Sequence, residues 1–261
     1  MAGEFELIAR HFTRPNRSGA GVELGVGDDC ALLRVAPGMQ LAISSDMLVE
    51  GRHFLSTVAP ERLGHKALAV NLSDLAACGA QPLAFTLALA LPRADDSFLA
   101  PFAHGLLALA DEHGIALVGG DTTAGPLNIC ITVFGQVPPG QALLRSGARA
   151  GDEIWVSGQL GDARLALEVF RGQLSLDGSA FEQVRRAMEL PQPRVALGVA
   201  LRGLASAAID LSDGLLGDLG HVLQRSGVAA VINVDALPRS AVLAALDPAL
   251  QQLCLLAGGD D

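Results

Sequence analysis

A short motif, in which an apolar run leads to Gly or Ser and then to Asp, occurs six times in the chain. It lies at residues 24–29, 42–46, 70–74, 117–121, 209–214 and 256–261. Five of these segments read as strand ends or turns, and the segment that ends at Asp74 reads as helical. A single Asp in such a place commonly caps a helix or closes a turn.

Six such motifs in one chain predict a metal site. Strand ends lie side by side along the edge of a sheet, so carboxylates placed there converge and repel one another unless a cation neutralises them. Oxygen ligands from Asp, Ser and backbone suit Mg²⁺ or Ca²⁺, and the spacing is not that of an EF-hand. Gly beside Asp leaves room for a phosphate near main-chain N–H groups. The pattern therefore indicates phosphoryl transfer assisted by Mg²⁺.

The charged residues exclude several other functions. The chain has 28 Asp and Glu against 18 Lys and Arg, for a net charge of -10, and this excess of acid argues against a nucleic-acid partner. Its single lysine, Lys66, fits neither a Walker-type phosphate loop nor a protein-kinase motif. We expect Lys66 on an exposed helical face with no catalytic role. Asp28 and Asp218 are interpreted as turn or capping residues.

The cysteines and the amino terminus indicate a cytoplasmic protein. The four cysteines are far apart and form no Cys-x-x-Cys pair, which disfavours zinc and thioredoxin-like sites. The first residues lack the basic and apolar regions of a signal peptide, and no apolar run approaches the ~18 residues of a membrane helix. We therefore expect no membrane partner.

The order of predicted elements indicates an α/β (α+β) fold with two mixed domains. Residues 1–137 form an N-terminal domain and residues 146–261 a C-terminal domain, with a Pro-Pro-Gly linker signal at 138–140. The predicted helices are 5–12, 60–78, 97–113, 163–170, 180–189, 195–206 and 215–225. The predicted strands are 41–45, 82–91, 115–118, 128–137, 154–157, 207–210 and 228–234.

Seven ordered segments, which together extend over essentially the whole chain, resemble one known family. They are 25–31 (GVGDDCA), 44–54 (SSDMLVEGRHF), 66–80 (KALAVNLSDLAACGA), 119–123 (GGDTT), 144–147 (LRSG), 210–214 (DLSDG) and 258–260 (GGD). The chain resembles the thiamine-monophosphate kinases, in the superfamily of aminoimidazole ribonucleotide synthetase and selenophosphate synthetase. The resemblance implies ATP-dependent phosphorylation of thiamine monophosphate to thiamine diphosphate. It also implies a homodimer whose N-terminal domains pair through their sheets.

The resemblance assigns roles to individual residues. The implied Mg²⁺ ligands are Asp29, Ser44, Ser45, Asp46, Asp74, Asp121, Asp210 and Asp213, of which Asp74, Asp121 and Asp213 are the catalytic set. The implied ATP contacts are Gly120, Asp121, Arg145 and Ser212. His53 and Asp260 are the implied contacts to thiamine monophosphate, although the family commonly has Glu where this chain has Asp260. The family continues beyond residue 261, so the predicted C-terminal domain is incomplete.

Two alternatives remain open at this stage. One is a sister ATP-dependent enzyme of the same superfamily. Selenophosphate synthetase is disfavoured, because residues 1–29 contain neither the Cys nor the Lys that it uses near its amino terminus. The other is a Mg²⁺-binding module without catalysis, which would bind metal but show no nucleotide-dependent turnover.

Overall fold

The computed structural model describes residues 4–14 and 21–258, and the chain divides into two compact units. The first unit comprises Met1–Ala142 and Gln192–Arg202, and the second comprises Leu143–Pro191 and Gly203–Asp261. The segment Gln192–Arg202 thus belongs to the first unit, whereas the predicted C-terminal domain, 146–261, includes it. The mixture of helices and strands confirms the predicted α/β (α+β) class. No helix in the described residues is both long and apolar enough to span a membrane.

The elements are numbered in chain order. The strands are β1 (Val22–Leu24), β2 (Leu32–Leu33), β3 (Gln40–Val49), β4 (Gln81–Leu91), β5 (Ala116–Ala124) and β6 (Asn128–Val137). The helices are α1 (Glu4–His11), α2 (Pro60–Ala77), α3 (Asp96–His113), α4 (Asp162–Phe170), α5 (Gly178–Glu189), α6 (Val195–Ala200), α7 (Leu215–Ser226), α8 (Ala241–Ala244) and α9 (Pro248–Ala257).

A four-stranded sheet in the order β3-β6-β4-β5 forms the centre of the first unit. β4 and β5 are parallel and are connected through α3, and the other neighbours are antiparallel. Helix α2 lies on β3 and β6, and the buried face of the sheet packs into one apolar core with α2 and α3. The antiparallel pair β1 and β2 contributes residues to a smaller apolar cluster.

Two glycines allow α2 and α3 to pack with their backbones in contact. A Cβ atom added at Gly64 would lie 2.0 Å from the carbonyl oxygen of Phe102, and one added at Gly105 would lie 1.9 Å from that of Glu61. Any larger residue at either position would force the two helices apart. Because Asp74 lies on α2, this contact also fixes the position of Asp74 over the sheet.

The helices of the second unit pack around their own apolar core. Residues of α4, α5, α8 and α9 form this core, and Ser240 donates a buried hydrogen bond of 2.6 Å to Asp162. The predicted strands at 154–157, 207–210 and 228–234 are wrong, because none of these segments is a strand in the structure. Strands are stable only with hydrogen-bonded neighbours. Ala208 N–H donates to the Leu144 carbonyl at 2.9 Å, but this bond alone does not build a ladder.

Several predicted boundaries are also wrong. The strand predicted for 41–45 is β3, which extends to Val49, and the strand predicted for 115–118 is β5, which extends to Ala124. Asp46 and Asp121 therefore lie inside strands instead of at strand ends. The helix predicted for 195–206 ends at Ala200, and a left-handed glycine, Gly203, follows it.

We predict that Gly105→Ala destabilises the protein by about 3 kcal/mol, because the new methyl group would overlap the backbone of α2. Chemical denaturation followed by circular dichroism measures this change. The control is Gly220→Ala on α7, where nothing lies within 4 Å and a gain of up to about 1 kcal/mol is expected from helix propensity. Equal stabilities for Gly105→Ala and the unmodified chain would contradict the packing described above.

Candidate functional site

In the first unit, β3 and α2 place four oxygen-bearing residues together. The Ser44 hydroxyl donates to the Asp74 carboxylate at 2.5 Å, which joins the middle of the strand to the last turns of the helix. The fully buried Asn71 accepts a hydrogen bond from the Asp46 backbone N–H at 3.1 Å and donates to the Ala67 carbonyl at 3.0 Å. Asp46 shares the helix-facing side of β3 with Ser44 through the two-residue period of a strand. This set of residues is called the β3–α2 acidic face below.

Ser45 lies on the other side of the sheet. Its hydroxyl is 2.9 Å from the Thr132 hydroxyl and 3.2 Å from the Ile131 carbonyl oxygen, and both partners are on β6. Because successive side chains of a strand point to opposite faces, Ser44 and Ser45 cannot both face α2. The structure therefore separates these two predicted ligands.

Asp121 lies across the sheet from the acidic face. The register places Asp46, Ile131, Leu87 and Gly120 in one row across the four strands, and Asp121 follows directly after Gly120. β3 and β5 are the two outer strands. Three interstrand spacings of about 4.8 Å separate them by roughly 14 Å. Asp46 and Asp121 of one chain are therefore too far apart to share a metal ion.

Position 120 requires glycine because its backbone lies against the backbone of β4. It has a φ of +148°, and an added Cβ would lie 1.8 Å from the Leu87 carbonyl oxygen. From the sequence alone, a glycine beside Asp is expected to leave room for a phosphate. Here the strand backbone already accounts for the glycine.

Asp29 and His53 are exposed residues of turns in the first unit. The Asp29 backbone N–H donates to the Asp28 carboxylate at 3.1 Å, which gives Asp28 the predicted turn role. The Val49 backbone N–H donates to Nδ1 of His53 at 3.0 Å. A neutral imidazole that accepts at Nδ1 carries its proton on Nε2. His53 thus presents an N–H donor that can bind a phosphate oxygen.

In the second unit, Asp218 organises the loop that carries Ser212 and Asp213. One oxygen of its carboxylate accepts the backbone N–H groups of Ser212, Asp213 and Gly214, at 3.0, 3.1 and 3.0 Å. Asp218 is only 3% exposed, and burial raises the pKa of its carboxyl although the three donors act to lower it. These main-chain donors are occupied, so Ser212 presents its hydroxyl as its hydrogen-bonding group for a ligand.

Ser226, the last residue of α7, holds the segment that carries Arg145. Its hydroxyl accepts the Ala148 backbone N–H and donates to the Arg145 carbonyl, both at 3.2 Å. The Arg145 side chain is exposed. In the described part of the chain, it forms no salt bridge.

The donor set fits a hard cation, although the described residues of one chain do not assemble a complete metal site. Carboxylate and hydroxyl oxygens are the ligands that Mg²⁺ prefers, and the β3–α2 acidic face supplies both. Among residues 4–14 and 21–258, however, no three His, Cys, Asp or Glu side chains group closely enough to hold a metal ion. The predicted contact Asp260 lies outside the described residues.

One sequence-based prediction was wrong, and two residues that position the site were missed. Lys66 is 5% exposed and buried in α2, so its prediction as an exposed residue was wrong. Asn71 and Asp218 were not selected as site residues, yet they position Asp46 and the loop with Asp213. The signal for both was a polar residue at a buried position of a helix, which requires a partner.

Family models and curated relatives match the chain over most of its length. The model described as AIR synthase related protein, N-terminal domain, matches residues 27–137, and the corresponding C-terminal domain model matches residues 149–255. The thiamine-monophosphate kinase of Salmonella typhimurium (strain LT2) is 49% identical over 99% of this chain and 80% of that protein. The similarity thus extends over residues of both units.

Two solved structures are also similar to this chain over most of its length. The crystal structure of thiamine-monophosphate kinase from Stenotrophomonas maltophilia K279a has 47% identity and a TM-score of 0.88, over 94% of this chain and 79% of that chain. The structure of AaThiL complexed with AMPPCP and TMP has 30% identity and a TM-score of 0.79, over 87% of this chain and 75% of that chain.

We predict that Asp218→Asn changes the pH dependence of stability in the absence of Mg²⁺. Because the folded pKa of Asp218 is raised, its contribution to stability is full below the ordinary pKa of 3.8 and is lost as pH rises through the raised value. The free energy of unfolding of the variant, relative to the unmodified chain, should therefore improve from about pH 4 to about pH 7. Urea unfolding at several pH values measures this difference.

The control for this experiment is Asp95→Asn. Hydrogen bonds from Ser97 lower the pKa of the exposed Asp95, so its contribution is present at neutral pH and lost as pH falls. The two variants should thus differ from the unmodified chain with opposite pH trends. Parallel curves for Asp218→Asn and the unmodified chain would rule out a raised pKa at Asp218.

Proposed function

Because this chain belongs to the thiamine-monophosphate kinase family, we propose that it transfers the γ-phosphate of ATP to thiamine monophosphate. The products are thiamine diphosphate and ADP. The observation that carries the proposal is the similarity along nearly the whole chain to kinases of that name. We expect this reaction in the cytoplasm, where ATP is available.

The chemistry of the acceptor suits this set of residues. The second pKa of a phosphate monoester is ~6, so an acceptor oxygen is mostly ionised at neutral pH and requires no catalytic base. The chain must instead align two anionic phosphates that repel each other. We propose direct in-line attack of the acceptor oxygen on the γ-phosphorus, with ADP as the leaving group and no phospho-enzyme.

The proposed Mg²⁺ ligands are the eight residues that the family resemblance implies. They are Asp29, Ser44, Ser45, Asp46, Asp74, Asp121, Asp210 and Asp213. When bound, Mg²⁺ neutralises the charge of the phosphate oxygens. The hydroxyl of Ser44 orients the Asp74 carboxylate, and Asn71 fixes the strand at Asp46. These hydrogen bonds fix the positions of Asp46 and Asp74 before a metal ion binds.

The proposed substrate contacts use side chains more than main-chain donors. Ser212 contacts the nucleotide through its hydroxyl, since Asp218 occupies the nearby N–H groups. Arg145 supplies a guanidinium that can bind a phosphate through two parallel hydrogen bonds. Gly120 and Asp121 remain the other proposed nucleotide contacts. His53 donates from Nε2 to the thiamine phosphate, and Asp260 remains a proposed contact to the same substrate.

We propose that two copies of the chain pair through the open side of the sheet. On this side of the outer strand β3, the apolar residues Ile43 and Met47 are 59% and 55% exposed, and Leu41 and Val49 belong to the same row. An apolar row on an outer strand favours pairing with another chain.

Pairing would also bring together acidic residues that lie far apart in one chain. Asp46 and Asp121 lie on opposite outer strands of one sheet. Asp121 shares its row with Ala88, Cys130 and Met47, which places it on the open side of the sheet. A second copy that pairs through this side would bring its own Asp121 to β3 of the first copy. Such pairing is one way to complete a Mg²⁺ site that a single chain does not assemble among its described residues.

One assay tests the proposed activity and the role of Asp74 together. Incubation of the purified protein with ATP, Mg²⁺ and thiamine monophosphate should yield thiamine diphosphate and ADP in equal amounts. We predict that Asp74→Asn lowers kcat at least roughly 100-fold without unfolding the protein, because it removes a charge that neutralises the metal ion. The control Asp111→Asn changes an exposed carboxylate on α3 and should retain normal turnover. Metal binding without turnover by the unmodified chain would instead support the non-catalytic module.

We predict that Ile43→Asp converts the dimer to a monomer, because it places a charge in the apolar row of β3. Sedimentation equilibrium measures the mass. The control Val231→Asp introduces the same charge at a residue of the second unit that is 97% exposed, and it should remain a dimer. A monomeric unmodified chain, or a dimeric Ile43→Asp variant, would refute pairing through this face.

A further inference from the structure

An arginine of α4 joins a buried carboxylate to the end of α9 in the second unit. The Nε of Arg164 donates to the Glu168 carboxylate at 2.7 Å, and its Nη1 donates to the Ala257 carbonyl at 3.1 Å. Ala257 is the last residue of α9, and the last carbonyl groups of a helix have no partners within that helix. Arg164 has no role in the function proposed above.

Glu168 fixes the orientation of the Arg164 guanidinium. The Glu168 side chain is only 9% exposed, and a carboxylate removed from water requires charged or hydrogen-bonding partners. Because the guanidinium is planar and rigid, the bond from Nε to Glu168 also sets the direction of Nη1. Arg171 donates to the same carboxylate oxygen at 3.1 Å. Among the described residues, the Arg171 side chain forms no other hydrogen bond, so it does not hold α9.

The start of α4 is itself fixed against α9. Gly161 precedes α4 with a φ of +91°, and an added Cβ would lie 3.1 Å from the carbonyl carbon of Cys254. The next residue, Asp162, accepts the buried hydrogen bond from Ser240. Arg164 therefore extends from a helix turn that is held on both sides.

The end of α9 lies against the loop that carries Asp213. Gly214 has a φ of +106°, and an added Cβ would lie 3.1 Å from backbone atoms of both Ala257 and Gly258. Gly214 directly follows Asp213, and its N–H donates to Asp218 at 3.0 Å. Because backbone meets backbone at this point, a shift in the last turn of α9 would displace the loop.

We infer that Arg164 is a positioning residue for the Asp213 loop. Asp218 holds this loop from α7, and Arg164 holds it through the last turn of α9. Together they keep the Asp213 carboxylate where it can bind Mg²⁺. The inference rests on the proposed function, in which Asp213 is a Mg²⁺ ligand.

Hydrogen exchange followed by mass spectrometry tests this inference without substrate or metal. Arg164→Met removes the guanidinium but keeps a long side chain. The backbone N–H groups of residues 212–214 should then exchange roughly tenfold faster, because a charged hydrogen bond that supports the loop is lost. The control Arg171→Met removes the other arginine bound to Glu168 and should leave exchange at 212–214 unchanged. Exchange in α2 of the first unit should be the same in both variants.

Steady-state kinetics measure the consequence for the reaction. In Arg164→Met, kcat should fall roughly tenfold or more, because a displaced ligand misaligns the phosphates. The Mg²⁺ concentration that gives half of the maximal rate should rise by a similar factor. Arg171→Met should leave both quantities within about twofold of the unmodified chain. If thermal unfolding shows that Arg164→Met is not folded, Arg164→Lys takes its place. That variant keeps the charge but loses the planar fork, so its changes should be smaller and of the same kind.

Three results would overturn the inference. They are normal exchange at residues 212–214 in the folded variant, an equal change in Arg171→Met, and faster exchange with an unchanged dependence on Mg²⁺. The exchange experiment also separates this inference from the proposed function. If Arg164→Met alone loosens residues 212–214 but the unmodified chain forms no thiamine diphosphate, Arg164 still positions the loop and the kinase proposal fails. If thiamine diphosphate forms and the loop exchanges normally in Arg164→Met, the kinase proposal stands and the role of Arg164 fails.

Discussion

The contact between α2 and α3 at two glycines is the constraint on which the candidate site of the first unit depends. Without side chains at Gly64 and Gly105, the helices approach until their backbones touch, and α2 is fixed against the sheet. That position brings Asn71 to the Asp46 N–H and Asp74 to the Ser44 hydroxyl. A small outward shift of the helix would break both hydrogen bonds, because they lose strength steeply with distance and angle.

The acidic residues illustrate a second constraint, the repulsion of like charges. In the first unit, the sheet keeps Asp46 and Asp121 on opposite outer strands. This separation weakens the repulsion between the two carboxylates when no cation lies between them.

The sequence predicted the regular elements of the first unit well, because their signals are local. Helix α2 begins at the predicted Pro60, and α3 ends before a left-handed glycine, Gly114, as its pattern indicated. The second half of β5 was missed because Gly119 and Gly120 read as a turn. Only the close contact of Gly120 with Leu87 shows that the glycine serves the sheet.

Other features of the molecule depend on tertiary contacts and therefore could not be predicted from the sequence. The apolar segments of the second unit have strand-like composition, but a strand also requires a neighbour, which composition does not reveal. The motif spacing identified Asp74 and Asp213 as candidates. Asn71 accepts a hydrogen bond from the Asp46 N–H on a strand that only the fold brings near, whereas Asp218 binds the N–H groups of residues four to six positions before it.

The described residues offer few of the groups that phosphate sites commonly use. Many phosphate sites use a lysine or a row of main-chain N–H groups. Here the single lysine is buried in α2, and the N–H groups of residues 212–214 are already bound by Asp218. The positive charge left on the surface of the second unit is arginine, and at Arg145 it is held by a serine at the end of α7. A guanidinium binds phosphate in a fixed plane, so an exposed arginine such as Arg145 is suited to orient a phosphate ligand.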